Sequence, residues 1–246
     1  MNSSTMADSR TPKNLAPVDR PSLVAPVLAL AAVLGFFGFH GTGGEWLDFQ
    51  VQAWFWDGRD WLIPKDSGWF HQVAYTGPKV VLYAFALWLL WMMATPDRSP
   101  AWLTRRRAAY LFISMAVISI VCVQLRSVSQ MATPRDLKVY GAIAPSAWDH
   151  LLLFDAKPAN YPSHAFPAGH ASGGFALLSL AFAWTSASSR RRGFLIGCVY
   201  GGTMGLYQLA RGEHFLSHTL ATAALAWLLA AILARWLKPA EVSSTN

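Results

Sequence analysis

The sequence has few charged residues and almost no cysteine. Lys, Arg, Asp and Glu make up 13% of the 246 residues, against 54% hydrophobic residues, and the mean hydropathy is +0.30. This composition excludes an ordinary soluble domain. The only two cysteines, Cys122 and Cys198, lie in apolar segments, which excludes a disulfide framework and a cysteine-based zinc site. The net charge of +7 is spread among long apolar runs, so we expect no nucleic-acid partner.

Long apolar runs occupy most of the chain instead. A helix needs about 20 largely apolar residues to cross a bilayer. Six stretches approach that length: 21–39, 77–94, 108–125, 170–187, 193–210 and 216–237. Their apolar residues do not alternate, which favours helices over the strands of a barrel. We therefore predict an all-α, polytopic membrane protein with six transmembrane helices.

The segment after the first predicted span is aromatic and acidic. Residues 45–61 contain Trp46, Trp54, Trp56 and Trp61, and indole rings favour the membrane interface. An interfacial amphipathic helix is therefore expected there, and a plain periplasmic loop is the alternative.

Basic residues are concentrated on one side of the predicted membrane. The two ends of the chain and the segments between spans two and three and between four and five carry 12 of the 20 Lys and Arg residues. They carry only 4 of the 13 Asp and Glu residues, so that side holds +8 and the rest of the chain −1. Since basic loops are retained in the cytoplasm, we expect both termini to be cytoplasmic in a bacterial inner membrane.

The same reasoning divides the chain into regions. Residues 1–20 are polar and are expected to form a disordered cytoplasmic N-terminus, residues 21–238 the membrane domain, and residues 239–246 a cytoplasmic tail. The segments 41–76, 126–169 and 211–215 then lie on the outer side.

Ionisable residues collect at the outer ends of four predicted spans. They are His170 and His218 at the starts of spans four and six, Arg126 and Arg211 at the ends of spans three and five, and His214 just before span six. Ionisable groups near a membrane are costly and are usually functional. The pattern therefore predicts a site for an anion near the outer interface.

His170 follows a run that suits close approach of a ligand. Gly169 lets the backbone come near a bound group and Pro167 fixes the turn before it. A helix start also presents free amide donors that can hold a phosphate. The alternative is that His170 is only a polar cap at the interface.

His214 and His218 are four residues apart, so they lie on one face of a helix. Such a pair is able to bind a metal, although Glu213 is the only carboxylate beside it. Alternatively, His214 attacks phosphorus while His218 orients it and Arg211 neutralises the phosphoryl oxygens.

Other polar residues have less specific interpretations. Lys79, near the outer end of span two, either extends to the interface or meets a lipid phosphate. His71 is expected at the interface. The long outer loop 126–169 is expected to cover the site and to select the head group.

In order and setting, these residues resemble the type 2 phosphatidic acid phosphatase (PAP2) superfamily. Its pattern is Lys-x6-Arg-Pro, then Pro-Ser-Gly-His, then Ser-Arg-x5-His-x3-Asp. In this chain Arg126 with Thr133-Pro134 is similar to the first element, Pro167-Ala168-Gly169-His170 to the second, and His214-x3-His218 to the third.

The resemblance implies a role for each matching residue in a six-helix, PAP2-like bundle. His214 becomes the nucleophile that forms a phosphohistidine, His170 the general acid, and His218 the residue that orients His214. Phosphate binding falls to Arg126 and Arg211, with Gly169, Ala168 and Arg135 nearby. The family needs no metal and no organic cofactor.

Five positions depart from the family pattern. Arg126 stands where the family has Lys, which keeps the positive charge but makes it a planar fork. Thr133 and Gln208 stand where the family has Arg, Ala168 replaces Ser, and His218 replaces the Asp that normally orients the nucleophile. Glu213 or Asp136 are candidates to supply the missing carboxylate. A neutral imidazole at His218 is able to accept a hydrogen bond from His214 but brings no negative charge.

We therefore expect an integral-membrane lipid phosphatase that removes a phosphate monoester or pyrophosphate at the periplasmic face. Its partners would be the bilayer and a lipid phosphate. Two alternatives stay open. One is transfer of the phosphate to a second lipid, and the other is a protein that binds or transports an anionic lipid without breaking a bond.

Overall fold

The fold is described by a computed structural model that covers residues 20–65, 68–143, 147–162 and 164–240. The described part is helical and contains no strand. The helices are α1 (Val24–Gly38), α2 (Gly44–Gln52), α3 (Trp69–His71), α4 (Gly77–Ala94), α5 (Arg105–Val128), α6 (Gly169–Phe175), α7 (Ala187–Ala210) and α8 (Leu216–Leu237). A π-helical segment, Gln72–Thr76, joins α3 to α4, and a 3₁₀ segment, Ala176–Phe182, extends α6.

In the described part of the chain, three helices are long and apolar enough to cross a membrane. They are Trp69–Ala94, which combines α3 and α4, Arg105–Val128 and Leu216–Leu237. Large apolar side chains on two of them are exposed, with Leu87 65% and Val123 53% accessible, as suits contact with lipid. The chain is therefore a membrane protein by its apolar helices. Helix α1 is shorter, with 15 residues, and crossing by the other predicted spans stays a prediction.

The sixth predicted span agrees with the structure at both ends, since α8 runs from Leu216 to Leu237. The fourth does not form one α-helix. Helix α6 ends at Phe175 and the chain continues as a 3₁₀ helix to Phe182. Nearly all of this segment is buried, so packing on every side, and not helix propensity, decides its winding.

The predicted interfacial helix at 45–61 is shorter than expected, because α2 ends at Gln52. Beyond it the chain turns at Asp57, whose Oδ1 accepts hydrogen bonds of 2.8 and 2.7 Å from the amides of Arg59 and Asp60. Gly58 in this turn has a φ of 97°, which glycine adopts without strain. The polar side chains Asp48 and Gln52 of α2 are buried, so this helix packs on the protein through part of its polar face.

Glycines bring α7 close to the α6 segment. A Cβ placed on Gly197 would lie 2.5 Å from the Leu178 amide nitrogen, and one on Gly193 would lie 2.6 Å from the Leu180 carbonyl carbon. Neither position has room for a side chain. The glycine repeat of α7 therefore permits backbone contact with its neighbour, as small residues do between membrane helices.

Contacts between basic residues and chain ends mark one end of the bundle. Arg107 at the start of α5 donates to the Pro239 carbonyl at 3.2 Å, and Arg235 near the end of α8 donates to the Pro21 carbonyl at 3.4 Å. The opposite end gathers the starts of α4, α6 and α8 and the ends of α5 and α7. The N-terminal segment predicted to be disordered, except residue 20, and residues 241–246 of the predicted tail lie outside the described residues.

Candidate active site

Three histidines meet at the end of the bundle away from the basic contacts. The ring centroids of His170 and His214 are 5.6 Å apart, and those of His214 and His218 are 5.7 Å apart. His214 and His218 are 1% and 0% exposed, whereas His170 is half-buried. The predicted pair, His170 from α6 and His214 from the α7–α8 turn, therefore lies side by side.

His218 does not accept the predicted hydrogen bond from His214. The two rings meet edge to face at 71°, and within the described residues neither ring makes a hydrogen bond of normal geometry. The Ala165 carbonyl lies near both rings. His218 thus supports His214 by packing, while Phe166 and Phe215 cover its other sides.

A tight turn between α7 and α8 holds His214. Gly212 has a φ of 70° and leaves no room for a Cβ beside the Trp61 ring, so glycine is required at this helix end. Buried Asp48 of α2 accepts a hydrogen bond of 2.9 Å from the Ser217 amide at the start of α8. Gln52, one turn further along α2, donates to the Leu209 carbonyl at 2.8 Å. Helix α2 therefore fixes both sides of the turn.

Burial lowers the pKa of His214 well below its ordinary value, and the neighbouring His218, His170 and Arg126 add to this shift. The imidazole is therefore neutral at physiological pH. A neutral imidazole has a free lone pair, which a nucleophile requires.

Arg126 at the end of α5 reaches the segment that precedes His170. Its Nε donates to the His164 carbonyl, and a Cβ on Gly169 would come within 3.3 Å of the Arg126 Cδ. Glycine at 169 therefore makes room for the guanidinium group. The predicted phosphate ligand Ala168 is buried, and its amide is already engaged by the His218 carbonyl at 3.3 Å.

Arg211 is the most buried of the arginines at this site, with 7% of its surface exposed. Its guanidinium nitrogens contact the Lys65 carbonyl at 3.0 Å and His71 Nδ1 at 3.3 Å. Its Nε has no acceptor among the described residues. This buried N–H group is therefore available to donate a hydrogen bond to an anion.

Arg135 contacts the α7–α8 turn itself. Its guanidinium donates to the Arg211 carbonyl and lies 3.7 Å from a Glu213 carboxylate oxygen. Asp136, one of the two candidate carboxylates for His214, instead accepts hydrogen bonds from the amide and hydroxyl of Thr133. The Glu213 and Asp136 carboxylates are thus engaged by Arg135 and Thr133.

No group of three or more His, Cys, Asp or Glu side chains that could hold a metal ion occurs in the described ranges.

The sequence interpretation missed Tyr75 and did not connect it with Lys79 and His71, which lie on the same helix, Trp69–Ala94. Tyr75 contacts His170 Nδ1 through its hydroxyl at 2.8 Å, and Lys79 donates to that hydroxyl oxygen at 2.5 Å. His71 stacks on the Tyr75 ring at 4.6 Å and contacts the Tyr207 hydroxyl at 2.9 Å. The signal was the spacing of His71, Tyr75 and Lys79, four residues apart and so on one helical face.

An apolar groove ends next to the histidines. It has a volume of about 540 Å³ and is lined by α1, α5, α8 and the outer loop. The polar residues Asp155 and Lys157 are among those that line it, and Phe166 and Pro167 form part of its wall. The Phe166 ring is 5.5 Å from the His218 ring, so the groove and the histidine cluster share this wall.

Comparison with known families places these residues in context. The family model of the PAP2 superfamily matches residues 107–241, more than half of the 246-residue chain. The match includes Arg126, His170 and the turn from Arg211 to His218, but it begins after α4. No curated protein and no solved structure gave a significant match. Phosphatases are general in this superfamily, which agrees with a site of two histidines and two arginines. The chain belongs to the PAP2 superfamily.

Proposed function

We propose that this protein is a lipid phosphatase that hydrolyses a phosphate monoester or pyrophosphate through a phosphohistidine on His214. One observation carries the proposal: His170 and His214 lie 5.6 Å apart, close enough for one phosphoryl group to contact both. His214 attacks phosphorus as a neutral imidazole, and His170 protonates the leaving oxygen.

Cations beside the histidines support the binding of a phosphoryl group. Arg126 and Arg211 both lie near enough to His170 to interact with it electrostatically. Charge of this kind, fixed before the substrate binds, stabilises the negative oxygens of a phosphoryl transition state. The unpartnered Nε of Arg211 provides a donor for one of those oxygens. Arg135 acts by fixing the turn that carries Arg211 and His214.

The apolar groove supports a lipid as the substrate. Its walls are mostly leucine, valine and phenylalanine side chains, and such a surface binds a hydrocarbon chain by removing it from water. A lipid chain in the groove between α1, α5 and α8 would bring its head group to the Phe166 wall. The head group would then meet His170 and His214 at the membrane surface.

The proposed topology has six crossings with both termini cytoplasmic and the site on the periplasmic face of the inner membrane. The net charge of +8 on the basic side supports this orientation. Reporter fusions to each terminus and to the outer loop would test it. A periplasmic terminus would contradict it.

Release of phosphate from purified protein tests the function. The protein in detergent is given phosphatidate, phosphatidylglycerol phosphate, undecaprenyl pyrophosphate and lipid A, with and without a chelator. We expect turnover of at least one lipid that resists the chelator and is lost in His214→Ala and His170→Ala. His40→Ala is the matched control, since the His40 side chain is 62% exposed and lies outside the histidine cluster. Equal turnover by wild type and His214→Ala would refute the proposal.

Binding without hydrolysis is the second candidate function, and the near-complete burial of His214 favours it. Only 1% of the surface of His214 is exposed. A substrate therefore reaches this ring only after the residues packed over it move. That function predicts retention of lipid phosphate without phosphate release. Trapping of a phosphoenzyme, with and without an acceptor lipid, separates hydrolysis from transfer to a second lipid.

A further inference from the structure

A hydrogen-bonded chain of three side chains ends at His170. Lys79 Nζ is 2.5 Å from the Tyr75 hydroxyl oxygen, and that hydroxyl is 2.8 Å from His170 Nδ1. Lys79 also lies 3.8 Å from the centroid of the Tyr75 ring. Both residues come from the helix Trp69–Ala94, which precedes the region matched by the family, residues 107–241.

The direction of each hydrogen bond follows from the chemistry of the groups. An ammonium group can only donate, so the Tyr75 oxygen accepts from Lys79. The Tyr75 hydroxyl hydrogen is then available to His170 Nδ1, which accepts it. A neutral His170 must therefore carry its own proton on Nε2, the nitrogen that Tyr75 leaves free.

The surroundings hold Tyr75 in this position. Its ring stacks on His71 at 4.6 Å and lies 6.2 Å from the Tyr207 ring. His71 in turn contacts the Tyr207 hydroxyl. The ring is thus fixed by aromatic contacts that do not involve its hydroxyl, so loss of the hydroxyl alone should leave the ring in place.

We propose that Tyr75 and Lys79 are positioning residues that set the proton of His170 on Nε2 and replace it during the reaction. This inference rests on the proposed function. It also identifies a cation, Lys79, that lies near enough to His170 to interact with it electrostatically, in a chain whose family motif has lost its arginine at Thr133.

The proton movements balance over the two half-reactions. As the bond from His214 to phosphorus forms and the bond from phosphorus to the leaving oxygen breaks, the Nε2 proton passes to that oxygen. The Tyr75 hydroxyl proton moves to Nδ1, and a Lys79 proton moves to the Tyr75 oxygen, which leaves a neutral amine. In the second half-reaction, water gives a proton to Nε2 and attacks phosphorus. The bond from phosphorus to His214 then breaks, and the relayed protons return to Lys79.

The test compares two substrates that differ in their leaving group. A lipid phosphate monoester needs a proton on its alkoxide leaving oxygen, whereas p-nitrophenyl phosphate releases a stable phenolate. In Tyr75→Phe we expect kcat for the lipid to fall about 100-fold, a typical size for general acid catalysis. The fall for p-nitrophenyl phosphate should be less than about threefold, with KM unchanged for both substrates. Lys79→Met should show the same selectivity, and Lys79→Arg should recover little of the loss, because a guanidinium group keeps its proton.

Tyr83→Phe is the matched control, because Tyr83 lies on the same helix and is 67% exposed. Equal losses on both substrates in Tyr75→Phe would show a merely structural role and overturn the inference, as would no loss on either. If wild-type protein released phosphate from neither substrate, the proposed function would fail and the inference with it.

A second measurement does not depend on turnover. In protein labelled with ¹⁵N-histidine, the resonances of His170, assigned with His170→Gln, should show an unprotonated Nδ1 and a protonated Nε2. Tyr75→Phe should shift this balance. Identical His170 resonances in the two proteins would overturn the proposed role of Tyr75.

Discussion

Among the residues of the site, His214 has the clearest dependence on pH. Its pKa lies well below the ordinary value because the ring is buried, so the folded protein binds its proton only at a pH far below about 6.5. We expect its ¹⁵N resonances, assigned with His214→Gln, to show a neutral ring from pH 8 down to pH 5. In denaturant the same resonances should titrate near pH 6.5.

The same shift has a consequence for stability. Because the unfolded chain takes up this proton more readily than the folded one, the contribution of His214 falls as the pH drops below about 6.5. A His214 resonance that titrates near pH 6.5 in the folded protein would contradict both statements.

Asp48 should affect stability in the opposite pH direction. Burial raises its pKa to about 7 from 3.8, although hydrogen bonds from Ser217 act against the shift. The folded state therefore holds a proton that the unfolded state releases, and stability falls as the pH rises from about 4 to 7. Integrated over that pH range, the loss in the free energy of unfolding is at most about 4 kcal/mol.

Asp48→Asn keeps an oxygen that can accept from the Ser217 amide but cannot ionise. We expect its thermal unfolding temperature, relative to wild type, to increase steadily between pH 4 and pH 8. Asp48→Ala, which loses the acceptor, should be less stable than Asp48→Asn at every pH. A difference between Asp48→Asn and wild type that does not change with pH would contradict the raised pKa.

Single residues also show the limits of the sequence. The histidine pair and both arginines were predicted because each lies at the end of an apolar run. The role of Lys79 was left open between two interpretations, and Tyr75 was not predicted at all. The importance of both residues depends on α4 lying beside α6. No feature near Lys79 in the sequence indicates which helix it faces.

At the level of helices, the packing of α7 on the α6 segment gives a direct test. Gly197→Ala would place a methyl group 2.5 Å from the Leu178 amide nitrogen, which forces the helices apart. We expect a loss of about 1 to 3 kcal/mol in the free energy of unfolding, as for other overpacked interiors.

Gly202→Ala is the control on the same helix, since a Cβ there has no neighbour within 4 Å. Removal of an interior helical glycine should leave stability equal or improve it by about 0.5 to 1 kcal/mol. Thermal unfolding in one detergent measures both variants. If Gly197→Ala were as stable as Gly202→Ala, the close contact would be excluded.

Helix ends were predictable where the apolar run decides them, as in α8, which starts and ends as its run does. The start of α7 at Ala187, six residues before the predicted span, was not predicted, although Ser186 caps it by accepting from the Ser189 amide at 3.2 Å. The end of α2 at Gln52 and the change of winding after Phe175 were not predicted. Both depend on contacts with distant segments, which periodicity within one helix does not reveal.

For the whole molecule, the groove predicts selectivity for long hydrocarbon chains. Val128 lines the groove and is 75% exposed, so Val128→Trp should fill it. We expect KM for a long-chain lipid phosphate to rise about tenfold, or about 1.4 kcal/mol, with little change for a short-chain, water-soluble analogue.

Ile120→Trp provides the comparison, because Ile120 lies on the same helix, is 59% exposed and does not line the groove. It should leave both KM values unchanged. An equal rise for long and short chains in Val128→Trp would show that the groove does not hold the hydrocarbon chain.

The general architecture follows from composition, since 54% hydrophobic residues in long runs require helices in lipid. The convergence of helix ends also followed from the positions of ionisable residues. The groove could not be predicted from the sequence, because it is formed by α1, α5, α8 and a loop that are far apart in the chain.

The 3₁₀ winding from Ala176 to Phe182 has a consequence for distance. A 3₁₀ helix rises about 2.0 Å per residue and an α-helix about 1.5 Å. If these seven residues rewound as an α-helix, the segment would shorten by about 3.5 Å. His170 is only 5.6 Å from His214, so such a change would separate the two rings or force them together. The winding of this segment therefore contributes to the distance between His170 and His214.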